Sequence, residues 1–71
     1  MIRIRLAELL AKKRWSRADL SKITGIRYNT INDLYHEMAL GIRFEHVDAI
    51  CDALECAVED LIEKQTSSPN K

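Results

Sequence analysis

Residues 16–35 constrain the fold of this chain more than any other stretch, because they carry start and stop signals for two short helices. The Ser16 hydroxyl can accept a hydrogen bond from the backbone N–H of Asp19, and the Asp19 carboxylate can bond back to Ser16, which makes a capping box. Gly25 stops the first helix, since glycine adopts the left-handed conformation without a Cβ penalty. These signals predict two helices joined by a tight turn, over about Arg17–Thr24 and Tyr28–Tyr35.

Apolar and small side chains within this stretch recur at helical spacing, so the two helices can bury a common face. Trp15 and Leu20 stand where a hydrophobic staple would close the start of the first helix. Ser21 is small enough to let a second helix cross closely. The side chains predicted to face inward are Leu20, Ile23, Thr24, Ile26, Ile31 and Leu34.

This combination of a small residue, a glycine and apolar positions at fixed separations resembles the helix-turn-helix of the Cro and phage-repressor type, the XRE family. The resemblance covers residues 6–62, which is nearly the whole chain. It implies a compact all-α fold of five helices with the helix-turn-helix at helices 2 and 3. It also implies that the protein binds double-stranded DNA.

The length of 71 residues leaves room for one domain, predicted over residues 1–64. Residues 65–71 are polar and unpatterned and are predicted to form a disordered tail. No apolar run approaches the roughly 18 residues that span a bilayer, and the amino end lacks a signal peptide. We therefore expect a cytoplasmic protein without a membrane partner. A core this small is marginal unless two chains share a surface, so we also expect a homodimer.

Charge is distributed unevenly along the chain, although the formal net charge is zero. Residues 1–35 contain eight basic and three acidic residues, a net charge of +5, whereas residues 36–71 contain three basic and eight acidic residues, a net charge of −5. A basic half that contains the predicted helix-turn-helix suits a protein that presents one side to a polyanion. The alternative is that the charges merely solvate helix surfaces.

The segments that flank the two central helices also show helical periodicity. A first helix is predicted over about Leu6–Lys13, while Ile2 and Ile4 either extend that helix or form a short edge strand. A fourth helix carries an apolar stripe, and a fifth, over about residues 58–63, carries a shorter one. The residues of these two stripes, which we predict to be core, are Phe44, Val47, Ile50, Cys51, Leu54, Val58, Leu61 and Ile62.

The loop between the third and fourth helices is more apolar than a solvent-exposed connection, through Met38, Leu40 and Ile42. We expect it to pack back on the domain or to meet a partner. The dimer surface could be this loop, the last helix or the candidate strand at the amino end. Glu55 stands where relatives place a helix-ending Gly or Asn, which predicts a less stable corner.

The second helix of the motif presents a face rich in hydrogen-bonding groups once Ile31 and Leu34 point inward. Asparagine can contact adenine N6 and N7, aspartate can accept from cytosine N4, and a tyrosine ring can lie against a thymine methyl. By resemblance to the family, the residues predicted to contact bases are Arg27, Tyr28, Asn29, Asn32 and Asp33. Phosphate contacts are predicted from the backbone amides near Ser16 and from Arg17, Lys22, Thr30 and Arg43.

The cysteines and histidines do not predict a metal site, because Cys51, Cys56, His36 and His46 lack the close spacing of zinc ligands. Cys51 lies on an apolar stripe and is predicted to be a buried free thiol. No nucleophile with a plausible base and no phosphate-binding loop is present in the sequence. We therefore expect neither an enzyme, nor a cofactor, nor a small-molecule ligand.

The sequence thus predicts a small transcriptional regulator that binds DNA as a homodimer on a palindromic site, with residues 28–35 in the major groove. A repressor is favoured over an activator, because no activation segment is visible. The alternative is a helix-turn-helix module that binds another protein, as an antirepressor or antitoxin component does. Zero net charge and the apolar loop favour that alternative, whereas the charge polarity and the asparagine-rich helix favour DNA.

Overall fold

The computed structural model describes residues 2–64, and within that range the chain forms five helices and two short strands. In chain order these are β1 (Ile2–Ile4), α1 (Leu6–Lys13), α2 (Arg17–Thr24), α3 (Tyr28–Tyr35), α4 (Phe44–Leu54), α5 (Val58–Leu61) and β2 (Ile62–Lys64). The predicted five-helix fold is confirmed, and the strands add a small sheet to it. The predicted disordered tail, residues 65–71, lies outside the described residues. Among the helices described, none has the length and apolar character needed to cross a membrane.

Local signals define the ends of α2, as the sequence predicts. At its start the Asp19 N–H donates to Ser16 Oγ and the Ser16 N–H donates to Asp19 Oδ2, each over 3.0 Å, so the capping box is present. At its end Gly25 has φ +78° and donates its N–H to the Ser21 carbonyl at 2.9 Å. The predicted bounds of α1 and α3 are confirmed as well.

One buried apolar cluster receives side chains from all five helices. The side chains of Ile31 and Leu34 are buried in this cluster, and α3 packs against α1 and α2. Cys51 is buried on the α4 stripe, as predicted, and burial raises the pKa of its thiol to about 11. The side chains that are almost completely buried are Leu6, Leu10, Leu20, Ile31, Leu34, Ile50 and Leu61.

Three apolar side chains that the sequence analysis assigns to the core lie at the surface instead. Phe44 is 91% exposed, Ile23 is 57% exposed and Val58 is 54% exposed. Phe44 and Val58 are the first residues of α4 and α5, so their side chains extend past the edge of the cluster that the next turns enter. Ile23 lies about 60° around the helix from Leu20, on the side away from Thr24, and so falls outside the buried face of α2.

The two ends of the described chain pair with each other. β1 and β2 are antiparallel, with Ile4 opposite Ile62 and Arg3 opposite Glu63, and the pairing resolves the open choice at the amino end in favour of a strand. The prediction that the last helix continues to residue 63 is wrong, since α5 ends at Leu61 and Ile62 already has extended backbone angles. A single helical turn is weakly held by its own hydrogen bonds, whereas pairing with β1 satisfies the backbone of the following residues.

Candidate nucleic-acid interface

The turn between α2 and α3 is fixed by side chains of α2. Thr24 Oγ1 donates to the Leu20 carbonyl at 2.7 Å and accepts from the Ile26 N–H at 3.2 Å. The Ser21 hydroxyl donates to the Ile26 carbonyl, so this residue bonds the turn as well as allowing the close crossing that its size predicts. Because the polar backbone of Ile26 is satisfied in this way, its side chain can be buried between the two helices.

The face of α3 opposite Ile31 and Leu34 is open to solvent. Arg27, Tyr28, Asn29 and Asp33, four of the five residues predicted to contact bases, are exposed on or next to this face. Arg27 occupies the N-cap position without a side-chain hydrogen bond to the helix, so the first amides of α3 lack the cap that a serine or threonine would supply. The exposed surface therefore combines amide, carboxylate, phenol and guanidinium groups within two helical turns.

Asn32, the fifth predicted base contact, is placed differently from the other four. Its side chain is half-buried, and its Oδ1 accepts a hydrogen bond of 2.6 Å from Nη1 of Arg17. The same Nη1 lies 3.1 Å from Nε2 of His36, and the guanidinium carbon of Arg17 lies 4.5 Å from the centre of the Tyr35 ring. Arg17, which the sequence predicts only as a phosphate contact, thus connects α2 to three side chains of α3 and its C-cap.

The cluster could not be found from the sequence, since Arg17 and Asn32 are separated by 15 positions. No periodicity within one helix relates them, and only the crossing of α2 over α3 brings them together. The basic residue on the first turn of α2 and the polar residue on the second turn of α3 are the signals that could indicate such a pair.

The other predicted phosphate contacts occupy several parts of the surface. Arg27, Thr30 and Arg43 line one groove between α3 and the start of α4, and Arg43 Nη1 lies 3.2 Å from Glu45 Oε2. Lys22 is exposed on the last turn of α2 and is not part of the lining of that groove. The structure therefore brings Thr30 and Arg43 to the side of α3 that also carries Arg27.

Ser16 is already engaged within the protein. Its hydroxyl and its N–H both bond Asp19, and these bonds, the one from the backbone N–H foremost, hold the pKa of Asp19 below its ordinary value. The negative charge of Asp19 also lies near the positive end of the α2 dipole, which favours it.

Several of the basic residues counted in residues 1–35 pair with carboxylates of the protein, so they are not available to bind an external anion. Arg3 pairs with Glu37, Arg5 with Glu8 and Glu63, and Lys13 with Glu55. Within residues 2–64, no carboxylate lies within ion-pairing distance of Arg17, Lys22 or Arg27. These three cations of the helix-turn-helix are thus available to an external anion, whereas Arg3 and Arg5, next to the sheet, are balanced internally.

The described residues do not assemble a metal site. No group of three or more His, Cys, Asp or Glu side chains within residues 2–64 is arranged to hold an ion. Cys56 is half-buried and, like Cys51, has a free thiol.

Comparison with known proteins identifies the family. The profile of the Cro/C1-type HTH DNA-binding domain matches residues 5–67. The chain is 37% identical over 60 residues to the "Uncharacterized HTH-type transcriptional regulator YozG" of Bacillus subtilis (strain 168), and the alignment covers 84% of this chain and 71% of that protein. No solved structure matches the chain significantly. Because the profile spans the whole helix-turn-helix and most of the remaining chain, this protein belongs to the Cro/C1-type helix-turn-helix DNA-binding family.

Proposed function

We propose that this protein regulates transcription by binding a specific double-stranded DNA sequence, with α3 in the major groove and α2 across the phosphate backbone. The observation that carries the proposal is the exposed polar face of α3, which lies beside the unpaired cations of the helix-turn-helix. The name of the Bacillus subtilis relative, an HTH-type transcriptional regulator, supports the same role. Because its target is DNA, the protein would act in the compartment that holds the DNA, which in a bacterial cell is the cytoplasm.

The proposed contacts divide into those that specify sequence and those that set position. Base edges would be contacted by Arg27, Tyr28, Asn29, Asn32 and Asp33. Phosphates would be contacted by Arg17, Lys22, Thr30, Arg43 and the backbone next to Ser16. The second group would give affinity that falls with salt, and the first would discriminate between sequences.

We further propose that the protein acts as a repressor and binds as a homodimer on a palindrome whose half-sites lie about 10 bp apart. A dimer is required because one helix of this size contacts too few base pairs for useful specificity. A repressor needs only to occupy its site, whereas an activator also needs a surface that recruits the transcription machinery.

The loop between α3 and α4 is the part of the surface that best suits a second copy of this chain. Met38 is 71% exposed and Leu40 is fully exposed, and Phe44 follows at the start of α4. These three side chains offer an apolar area on the order of 500 Å², a large share of the roughly 800 Å² per partner that a standard interface buries. Residues 38–42 carry no charge, so two copies could meet there without repulsion.

The other candidate dimer surfaces are less suitable. The carboxylate of Glu37 accepts the N–H of Ile4 at 3.2 Å, which blocks the outer edge of β1 against an added strand. α5 has only four residues, of which Leu61 is buried.

The test is selection from a pool of random duplexes at two salt concentrations, followed by sequencing of the retained DNA. The proposal predicts a palindromic consensus, and about six phosphate contacts would give a log–log slope near −5 against salt. Unselective retention of all duplexes would contradict the proposed function.

A protein partner is the second candidate, because the apolar loop is exposed next to α3. The double substitution Asn29→Ala and Asn32→Ala separates the two functions. Base recognition predicts that the variant loses its sequence preference while it stays folded, with the helical content of the wild type. A protein-binding module predicts that the loss of these two side chains leaves complex formation unaffected.

A further inference from the structure

The guanidinium of Arg17 determines which way the Asn32 side chain points. A guanidinium has N–H donors and no acceptor, so the Asn32 atom that lies 2.6 Å from Nη1 is the carbonyl oxygen and not the amide nitrogen. The same argument applies to His36, whose Nε2 faces Nη1 at 3.1 Å and must present its lone pair. Both hydrogens of Nη1 are thereby used within the protein.

The stacking of Arg17 on Tyr35 holds the guanidinium in this position. The guanidinium carbon lies 4.5 Å from the ring centre, within the range of an attractive cation–π contact. Tyr35 in turn makes an edge contact with His36, with ring centres 5.1 Å apart. Arg17 is therefore restrained by three neighbours, and its planar fork is oriented before any ligand binds.

We propose that Arg17 is a positioning residue for sequence recognition, and that it makes Asn32 a hydrogen-bond donor to the base edge. With Oδ1 turned toward Arg17, the amide nitrogen Nδ2 carries the free hydrogens of Asn32. Its partner in the major groove would be an acceptor such as purine N7, guanine O6 or thymine O4. This inference rests on the proposed function and adds to it the chemistry of one base contact.

Arg17 also couples this base contact to the phosphate backbone. Among the side-chain contacts of residues 2–64, none engages Nη2 or Nε of Arg17 by hydrogen bond or ion pair. These two groups can bind a phosphate while Nη1 holds Asn32. The contact with the DNA phosphate backbone and the orientation of the Asn32 amide then both depend on the Arg17 side chain.

The experiment compares Arg17→Lys with the wild type on the selected duplex and on duplexes that change one base pair at a time. Lysine keeps the positive charge but has a single ammonium in place of the fork, so it cannot hold Asn32 and a phosphate together. We expect the preference at one base pair to fall about tenfold, while the salt slope changes by less than about one. Asn32→Ala should lose the preference at that same base pair, and the double variant should lose no more than either single one.

Two further variants sharpen this test. Asn32→Asp keeps an acceptor for Arg17 but removes the amide hydrogens, so it should lose the same preference without loss of thermal stability. Arg43→Lys makes the same change at a predicted phosphate contact that bonds Glu45 and no base-contacting side chain. It should alter the affinity for all duplexes equally.

The inference is overturned if Arg17→Lys keeps the wild-type preference at every base pair. It is also overturned if the loss of preference in the double variant equals the product of the losses in Arg17→Lys and Asn32→Ala. Arg17 would then be a phosphate contact only. A preference that survives in Asn32→Asp would also overturn it, because no donor would remain. Failure of the wild type to select any sequence is a different result, since it would remove the proposed function and this inference with it.

Discussion

Glu55 is a residue whose side chain does not suit its backbone conformation. It ends α4 with φ +54°, in the left-handed region where a Cβ is unfavourable. We predict that Glu55→Gly raises the free energy of unfolding by about 1 kcal/mol, because glycine relieves this strain. Denaturation by urea, monitored by circular dichroism, measures the change.

The matched control at this position is Glu55→Ala. Alanine keeps the Cβ but removes the exposed ion pair with Lys13, whose charged atoms lie 3.6 Å apart. Such a pair contributes little in water, so the alanine variant should stay close to the wild type. Equal stability of the glycine and alanine variants would show that the backbone conformation costs nothing.

Two isoleucines that the sequence predicts to face inward differ in burial. Substitution by valine should therefore change the free energy of unfolding by different amounts at the two positions. Ile31 is completely buried, whereas Ile23 is 57% exposed. Ile31→Val should lower the free energy of unfolding by about 1 kcal/mol, since it removes a buried methylene and leaves a cavity. Ile23→Val should change it by less than about 0.5 kcal/mol. A comparable loss in both variants would mean that Ile23 packs against the core.

At the scale of helices and strands, local chemistry made α2 and α3 predictable. The capping box at Ser16, the glycine at position 25 and the stripe through Ile31 and Leu34 act within a few residues of each other. Periodicity also predicts which face of α4 is apolar, but it does not show how far the neighbouring elements extend to cover that face. For that reason Phe44, on the correct stripe, lies outside the core.

Contacts between distant parts of the chain could not be predicted from the sequence. β2 pairs with β1 across almost the whole described chain, and nothing near Ile62 indicates that its partner is Ile4. The pair of Arg17 and Asn32 belongs to the same class, since it depends on how α2 crosses α3. The residues predicted to contact DNA therefore stay predictions, and the contact between Arg17 and Asn32 could not be found from the sequence.

Glu37 links two elements, the end of α3 and strand β1. Its carboxylate accepts from Arg3 Nε at 3.0 Å, from Arg3 Nη2 at 2.7 Å and from the Ile4 N–H. The bonds from Arg3 foremost, and then the one from Ile4, hold the pKa of Glu37 below its ordinary value of 4.5. A carboxylate with a lowered pKa stabilises the fold above its unfolded-state pKa, and this contribution is lost as the pH falls through its lower folded-state pKa.

We therefore predict that the stability of the wild type declines as the pH is lowered from about 5 through the region of the carboxylate pKa values. In Glu37→Gln the decline should be shallower, because one of the contributing groups no longer titrates. Asp19, whose pKa is also lowered, remains in the variant and should preserve part of the slope. Urea midpoints measured at intervals between pH 3 and 7 test this, and parallel curves for the two proteins would exclude a contribution from Glu37.

At the scale of the whole molecule, we propose that the cations of the helix-turn-helix contact DNA and that the exposed apolar loop contacts a second copy of the chain. Arg17, Lys22 and Arg27 of the helix-turn-helix have no carboxylate within ion-pairing distance among residues 2–64, while Arg3 and Arg5 balance carboxylates around the sheet. The exposed apolar side chains of residues 38–44 follow directly after α3. A second copy bound through this loop would present a second α3 related to the first by a two-fold axis, which is the symmetry of a palindromic site.

We predict that Leu40→Ser combined with Phe44→Ser weakens dimer formation without unfolding the monomer, because both side chains are almost fully exposed in the single chain. Sedimentation equilibrium should show a dissociation constant at least tenfold higher, the effect of about 1.4 kcal/mol of lost apolar contact. Binding to the palindrome should weaken, while binding to an isolated half-site should not change. Val58→Ser is the control, since Val58 is exposed on α5 and away from the loop. If Val58→Ser dissociates the dimer and the loop variant does not, the two copies meet through the carboxyl-terminal helix, and the apolar loop is free for a different partner.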